Sequence, residues 1–138
     1  MARTYYLAKT DPDTYGVGQL AAEGRTVWDG VRNPQALQAI RAMRPGDGVF
    51  IYHSGGVSAV VGLARVAGAP GPDAADPKFW NVEMEFVTLI EPPLTLGEIK
   101  ASGLFDDWAL VRQSRLSTMA APLSFVAWMR KKYPKAKI

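Results

Sequence analysis

From position 27 the chain reads Val27-Trp28-Asp29-Gly30-Val31-Arg32-Asn33, which crowds a large aromatic, an acid, a base and an amide together just before a helix start. A helix N-terminus beside an aromatic plane can stack a planar ring and offer backbone N–H groups to its polar edge. The same residues also have plainer uses. Trp28 can be core, Asn33 can simply cap the helix, and Asp29 is most simply held by a nearby arginine or a turn. Other chemistries lack their residues. The chain has no Cys, which removes disulfides, thiolate catalysis and cysteine-bound zinc, and its single His, His53, cannot build a histidine metal site. No metal and no cofactor is therefore expected. Gly46-Asp47-Gly48 and Gly55-Gly56 match neither a P-loop nor a dinucleotide turn and read as ordinary turns.

The elements that must position these residues follow from patterning. Tyr5-Tyr6-Leu7-Ala8-Lys9 reads as a strand that Pro12 stops, because proline cannot donate to a ladder and disfavours helix before it. A short helix over Val17 to Ala22 ends at Gly24. Asn33 as cap, Pro34 at the first helical position and Ala36, Leu37, Ile40 and Met43 at helical spacing predict a helix up to Pro45-Gly46. Val49 to His53 and Ala59 to Val66 flank Ser54-Gly55-Gly56 and read as a hairpin. A Pro/Gly/Asp-rich loop spans 70–77. Val82, Met84 and Phe86 then alternate with Glu83, Glu85 and Val87, the pattern of a half-buried strand. Thr95 and Glu98 have capping-box spacing for a short helix, with Leu94 and Ile99 as its staple and Gly103 as its stop. A last helix is predicted over Phe125 to Tyr133, capped by Ser124, with Phe125, Trp128 and Met129 inward. Strands dominate and single helices interrupt them, so an α+β fold is expected: a small, mostly antiparallel β-barrel flanked by short helices. The 138 residues suit one domain.

Charge is unevenly placed. Five of the 16 Lys and Arg (Arg130, Lys131, Lys132, Lys135, Lys137) lie in the last nine positions, and the rest of the chain carries 11 basic against 13 acidic residues. A polyanion would meet local cations and a basic tail at about 130–138 rather than a positive body. The plainer alternative is a solvated helix end whose cations suit the C-terminal dipole. The N-terminal residues lack an apolar signal core, and no stretch approaches a membrane span. A cytoplasmic protein with no membrane partner is expected.

Several segments resemble the EVE domain family of the PUA-like superfamily. Tyr6-Leu7-Ala8-Lys9-Thr10-Asp11-Pro12 is similar to the family's opening W-L-x-K-S-E-P, and Trp28-Asp29-Gly30-Val31-Arg32-Asn33 matches its W-D-G-V-R-N. Met43-Arg44-Pro45-Gly46-Asp47, Phe50-Ile51-Tyr52-His53-Ser54 and Leu110-Val111-Arg112-Gln113-Ser114-Arg115-Leu116-Ser117 follow in order. Departures are Thr10-Asp11 for Ser-Glu, Tyr6 for a Trp, and Leu37 where the family's Asn-x-x-Ala-Arg has a basic residue. The resemblance implies a PUA-like barrel, monomeric or weakly dimeric, that reads a modified base: 5-substituted cytosine in DNA, or a modified base in RNA.

It also implies a pocket. Trp28 would be the stacking surface, with Lys9, Thr10 and Asp11 at one strand end, Tyr52, His53 and Ser54 at another, and Asn33, Leu116 and Ser117 beside them. Arg32, Arg112 and Arg115, with Arg130, Lys131 and Lys132 of the tail, would meet phosphates. Arg32 and Arg115 could equally pair with Asp29 or Asp106. An enzyme is the alternative, because the related ASCH group resembles amidohydrolases or ribonucleases acting on modified nucleosides or RNA with a lysine, a hydroxyl and a carboxylate, the types of Lys9, Thr10 and Asp11. Neighbours on a strand face opposite ways, which sets Thr10 apart from the other two. A non-enzymatic reader is expected.

Overall fold

Apolar residues that alternate or run on along β1 (Tyr5–Thr10), β3 (Gly48–His53) and β4 (Ala59–Val66) are almost all buried, and these strands form the middle of the sheet. The computed structural model describes residues 3–138. Its seven strands run in the order β2-β6-β4-β3-β1-β7, with β5 (Gly71–Pro72) paired to β6 (Trp80–Thr95). β1 and β3 are parallel and the other pairings antiparallel. The α+β class and the antiparallel bias hold. The barrel is not closed among the described residues, because the end strands β2 (Arg25–Trp28) and β7 (Thr118–Ala120) pair with β6 and β1 but not with each other.

Local signals account for most of the helices. Asn33 Oδ1 accepts the N–H groups of Gln35 and Ala36, and Pro34 opens α2 (Pro34–Ala42), which buries Ala36, Leu37 and Ile40. The Thr95/Glu98 capping box starts α3 (Leu96–Ala101), and Leu94 and Ile99 are both fully buried at its start. α1 (Val17–Glu23) ends at Gly24, whose φ of 77° suits glycine. A Cβ at Gly62 would come within 2.6 Å of Val17 Cγ2, so α1 packs its first residue directly on the β4 backbone.

Some expectations need correction. α5 spans Leu123–Lys132 and is capped by Pro122, with Ser124 inside the first turn and Val126 on the buried face. Trp128 is only half-buried. β6 runs far beyond Phe86 because β4 continues to pair with it across two register shifts, where strict alternation is lost. The short elements β2, α4 (Ala109–Arg112) and β7 carry too few residues for a periodic signal. The core centres on Phe125, whose ring meets Phe50, Phe105, Trp108 and Trp128 at centroid distances of 4.6–6.0 Å. No helix among the described residues is long and apolar enough to cross a membrane.

Candidate functional site

β1 stops at Thr10 because Asp11-Pro12 turns the chain. Asp11 Oδ1 accepts the N–H of Asp13, and its carbonyl accepts the N–H groups of Thr14 and Tyr15 at 3.0 and 2.9 Å. The turn brings Tyr15 back beside β1, where the Thr10 hydroxyl donates to the Tyr15 carbonyl at 2.7 Å. β2 runs alongside. Arg25 bonds Glu83 and Glu85 on β6, and Arg65 on β4 also holds Glu85, so cross-strand charges tie β2 and β4 to the strand between them. These pairs are exposed and individually weak, and they flank the β2–β6 ladder whose register ends with Trp28 opposite Val82.

Between these elements lies a cavity of about 560 Å³ lined by Thr10, Thr14, Tyr15, Thr26, Val27, Trp28, Asp29 and Gly30. Trp28 is 7% exposed and meets the Tyr15 ring edge-on at 6.2 Å and 85°. The Tyr15 hydroxyl donates to the Glu23 carboxylate, and burial raises its pKa. The wall is thus one indole, one phenol and one valine with three threonines, Asp29 and Gly30, a mixture of apolar and polar surface.

Trp28 and Thr10 are the two expected pocket residues that line this space. The others do not line it, and are buried or held in structural bonds. Lys9 Nζ donates to the Ser114 carbonyl at 3.0 Å and sits 5.5 Å from the Tyr52 ring centre, and burial lowers its pKa. Its backbone N–H donates to the Ser117 carbonyl at 2.7 Å. Tyr52 and Leu116 are buried. Ser54 donates to the Thr10 carbonyl from both its N–H and its hydroxyl. Asn33 spends its side-chain oxygen on α2. Leu37 is 4% exposed, which removes that position from ligand contact in this chain.

His53 Nε2 accepts the Val17 N–H at 3.0 Å, so the ring serves as a neutral acceptor at the start of α1. Burial holds its pKa below the usual histidine value of about 6.5. The unfolded chain therefore binds this proton more readily. Stability on this account is constant above about pH 6.5, falls as pH drops toward the folded pKa, and levels off below it. Thermal unfolding between pH 7 and 5 should show this loss, and His53→Gln, which keeps an acceptor but cannot titrate, should show less of it.

Of the expected phosphate contacts, Arg32 lies over the Phe79 ring at 4.7 Å rather than on Asp29, which makes no ion pair among the described residues. Arg112 donates to the Asp106 carbonyl and to Asp107 Oδ1. Arg115 is exposed with no side-chain partner among the described residues. Arg130 donates to the Ile138 carbonyl at 3.1 Å and lies over Tyr5, Lys132 lies over Trp128, and Lys131 is exposed.

Sequence reasoning missed Thr14, Tyr15 and Thr26. Thr26 was within reach, since it shares a strand face with Trp28 two positions on. Tyr15 enters only through the turn at Asp11. A larger cavity of about 710 Å³ lies between α1, β6 and the tail. Size does not decide between the two, because the larger one has neither the indole nor the motif residues around it.

The family profile of the EVE domain matches residues 4–131. The chain belongs to the EVE domain family. This EVE domain is similar to thymocyte nuclear protein 1 of Rattus norvegicus, with 29% identity over 124 residues, 70% of this chain and 55% of that protein. It thus spans about half the length of such curated relatives. It is similar in structure to a protein from Agrobacterium tumefaciens, with a TM-score of 0.91, 30% identity, and coverage of 98% of this chain and 96% of that one. A human thymocyte nuclear protein 1 structure in complex with DNA containing 5-methylcytosine has the same fold, with a TM-score of 0.80 at 24% identity over 93% of this chain and 98% of that one.

Proposed function

We propose that this EVE domain binds DNA carrying a modified cytosine and seats that base against Trp28. The observation that carries this reading is the cavity of about 560 Å³ in which the indole of the W-D-G-V-R-N motif shares the wall with three threonines. A relative of the same fold in complex with 5-methylcytosine-containing DNA supports the choice of ligand. The wall provides hydroxyl and backbone groups for a base edge, and the indole provides the plane.

Magnitudes shape the expected behaviour. Stacking one base contributes about 1–3 kcal/mol, whereas extracting a paired base costs a few kcal/mol. Single strands or weakened pairs therefore bind better unless phosphate contacts assist. Burying one extra methyl contributes about 0.8 kcal/mol, roughly a fourfold preference. The test is titration of the protein with single-stranded oligonucleotides differing only in one 5-methylcytosine. A preference of roughly fourfold or more for the methylated strand is expected, and equal binding overturns the reading. The alternative of nucleoside or RNA hydrolysis has little geometric support. Lys9, Thr10 and Asp11 bond three different backbone groups, those of Ser114, Tyr15 and Asp13, instead of converging on one point. Turnover of the bound oligonucleotide would restore it.

A further inference from the structure

A second, smaller cavity of about 280 Å³ shares Asp29 and Gly30 with the Trp28 cavity, so the two adjoin at this segment. Its wall includes Arg32 and Phe79, with the guanidinium 4.7 Å from the ring centre. Arg32 stands between Val31, which is buried, and Asn33, which is held as the α2 cap, so its backbone is fixed. Phe79 is fixed as well. Asp73 accepts the N–H groups of Ala75 and Asp76, Asp76 accepts that of Lys78, and Arg41 donates to the Lys78 carbonyl while lying 5.5 Å from the Trp80 ring centre. The result is a guanidinium that lies 4.7 Å from the centre of an aromatic ring, with both residues anchored through their backbones.

Resting on the reading of the first cavity as a base pocket, we propose that the nucleobase next to the modified one stacks on the Arg32–Phe79 shelf. Bases stack on arginine planes as they do on aromatic rings, and a nucleotide bonded to the one in the first cavity is the group that would reach an adjoining cavity. Lys78 Nζ also lies near the Phe79 ring. The carboxylates of Asp29, Asp73 and Asp76 surround the same space, and their charge opposes a phosphate there. The shelf therefore acts by stacking, not by neutralising the backbone, and the planarity of Arg32 matters more than its charge.

Arg32 is exposed, so its substitution leaves the core intact. The probe is a single-stranded oligonucleotide with one 5-methylcytosine, tested intact and with an abasic site on either side of it. With the native protein, the abasic site on one side should weaken binding about tenfold. Arg32→Lys, which keeps the charge and loses the plane, should bind the intact probe about tenfold more weakly, lose nothing further with that abasic probe, and keep the native salt dependence. Native-like binding by Arg32→Lys, or no loss from an abasic site on either side, overturns the shelf while leaving the base pocket standing. Equal binding of methylated and plain strands by the native protein overturns the base pocket, and the shelf with it. Melting temperatures of both proteins verify that the fold is kept.

Discussion

Trp28→Ala is expected to cost about 3–5 kcal/mol of stability, the range for deleting a large aromatic side chain from a packed site. In a domain of this size that is a fall in melting temperature of about 10–20 °C. The indole is 7% exposed, meets Tyr15 edge-on and ends the strand that carries Thr26, so the loss reaches both core and cavity. The same substitution should erase the preference for a methylated over an unmethylated strand and weaken binding by about 1–3 kcal/mol through lost stacking. The two effects need separating. Trp28→Phe keeps an aromatic plane and most of the volume, so it should melt nearer the native protein and retain part of the preference. Differential scanning calorimetry and oligonucleotide titration on both variants decide the matter. An alanine variant that stays folded and still prefers the methylated strand removes Trp28 from the ligand site.

The Trp28 expectation came from the crowding of residue types before a helix start, and the structure shows how much such crowding can say. Asn33, Pro34 and the apolar spacing of α2 are local signals, so the start of that helix was legible, although it ends at Ala42, with Met43 extended, short of the expected stop at Pro45-Gly46. The capping box at Thr95 was legible for the same reason. The walls of the cavity were harder, because they join a turn after β1 to a four-residue strand whose partner lies more than fifty positions away. No periodicity in Arg25-Thr26-Val27-Trp28 announces that pairing. Motif adjacency misled in a specific way. Thr10 and His53 are register partners on β1 and β3, yet Thr10 faces the Tyr15 carbonyl while His53 is drawn to the start of α1. Two segments can meet in the fold while their polar atoms serve different neighbours, and sequence order carries no record of which neighbour wins. The Arg32–Phe79 contact was invisible for the same reason, since it joins a helix approach to a residue between the loop at 70–77 and the strand expected from Val82.

The basic tail is tied to the body of the domain. Removing the chain after Met129 would delete more than charge, because Arg130 bonds the Ile138 carbonyl and lies over Tyr5, the Tyr133 hydroxyl donates to the Pro92 carbonyl at 2.7 Å, and Ala136 is buried. Replacing Lys131, Lys135 and Lys137 with glutamine isolates the charge. Arg130 and Lys132 stay, being already stacked on Tyr5 and Trp128. If these three cations track a duplex backbone, each phosphate neutralised adds about 0.9 to the slope of log affinity against log salt, so the triple variant should flatten that slope by up to about three. Methylated and unmethylated strands should weaken alike, because phosphate contacts carry no base information. Stability should change little, since exposed charges at a helix end contribute only about 0.3–1 kcal/mol each through the dipole. An unchanged slope assigns the tail to that helix-end role alone. A changed methylation preference would instead place the tail at the base, and the division between a stacking pocket and an electrostatic tail would fall.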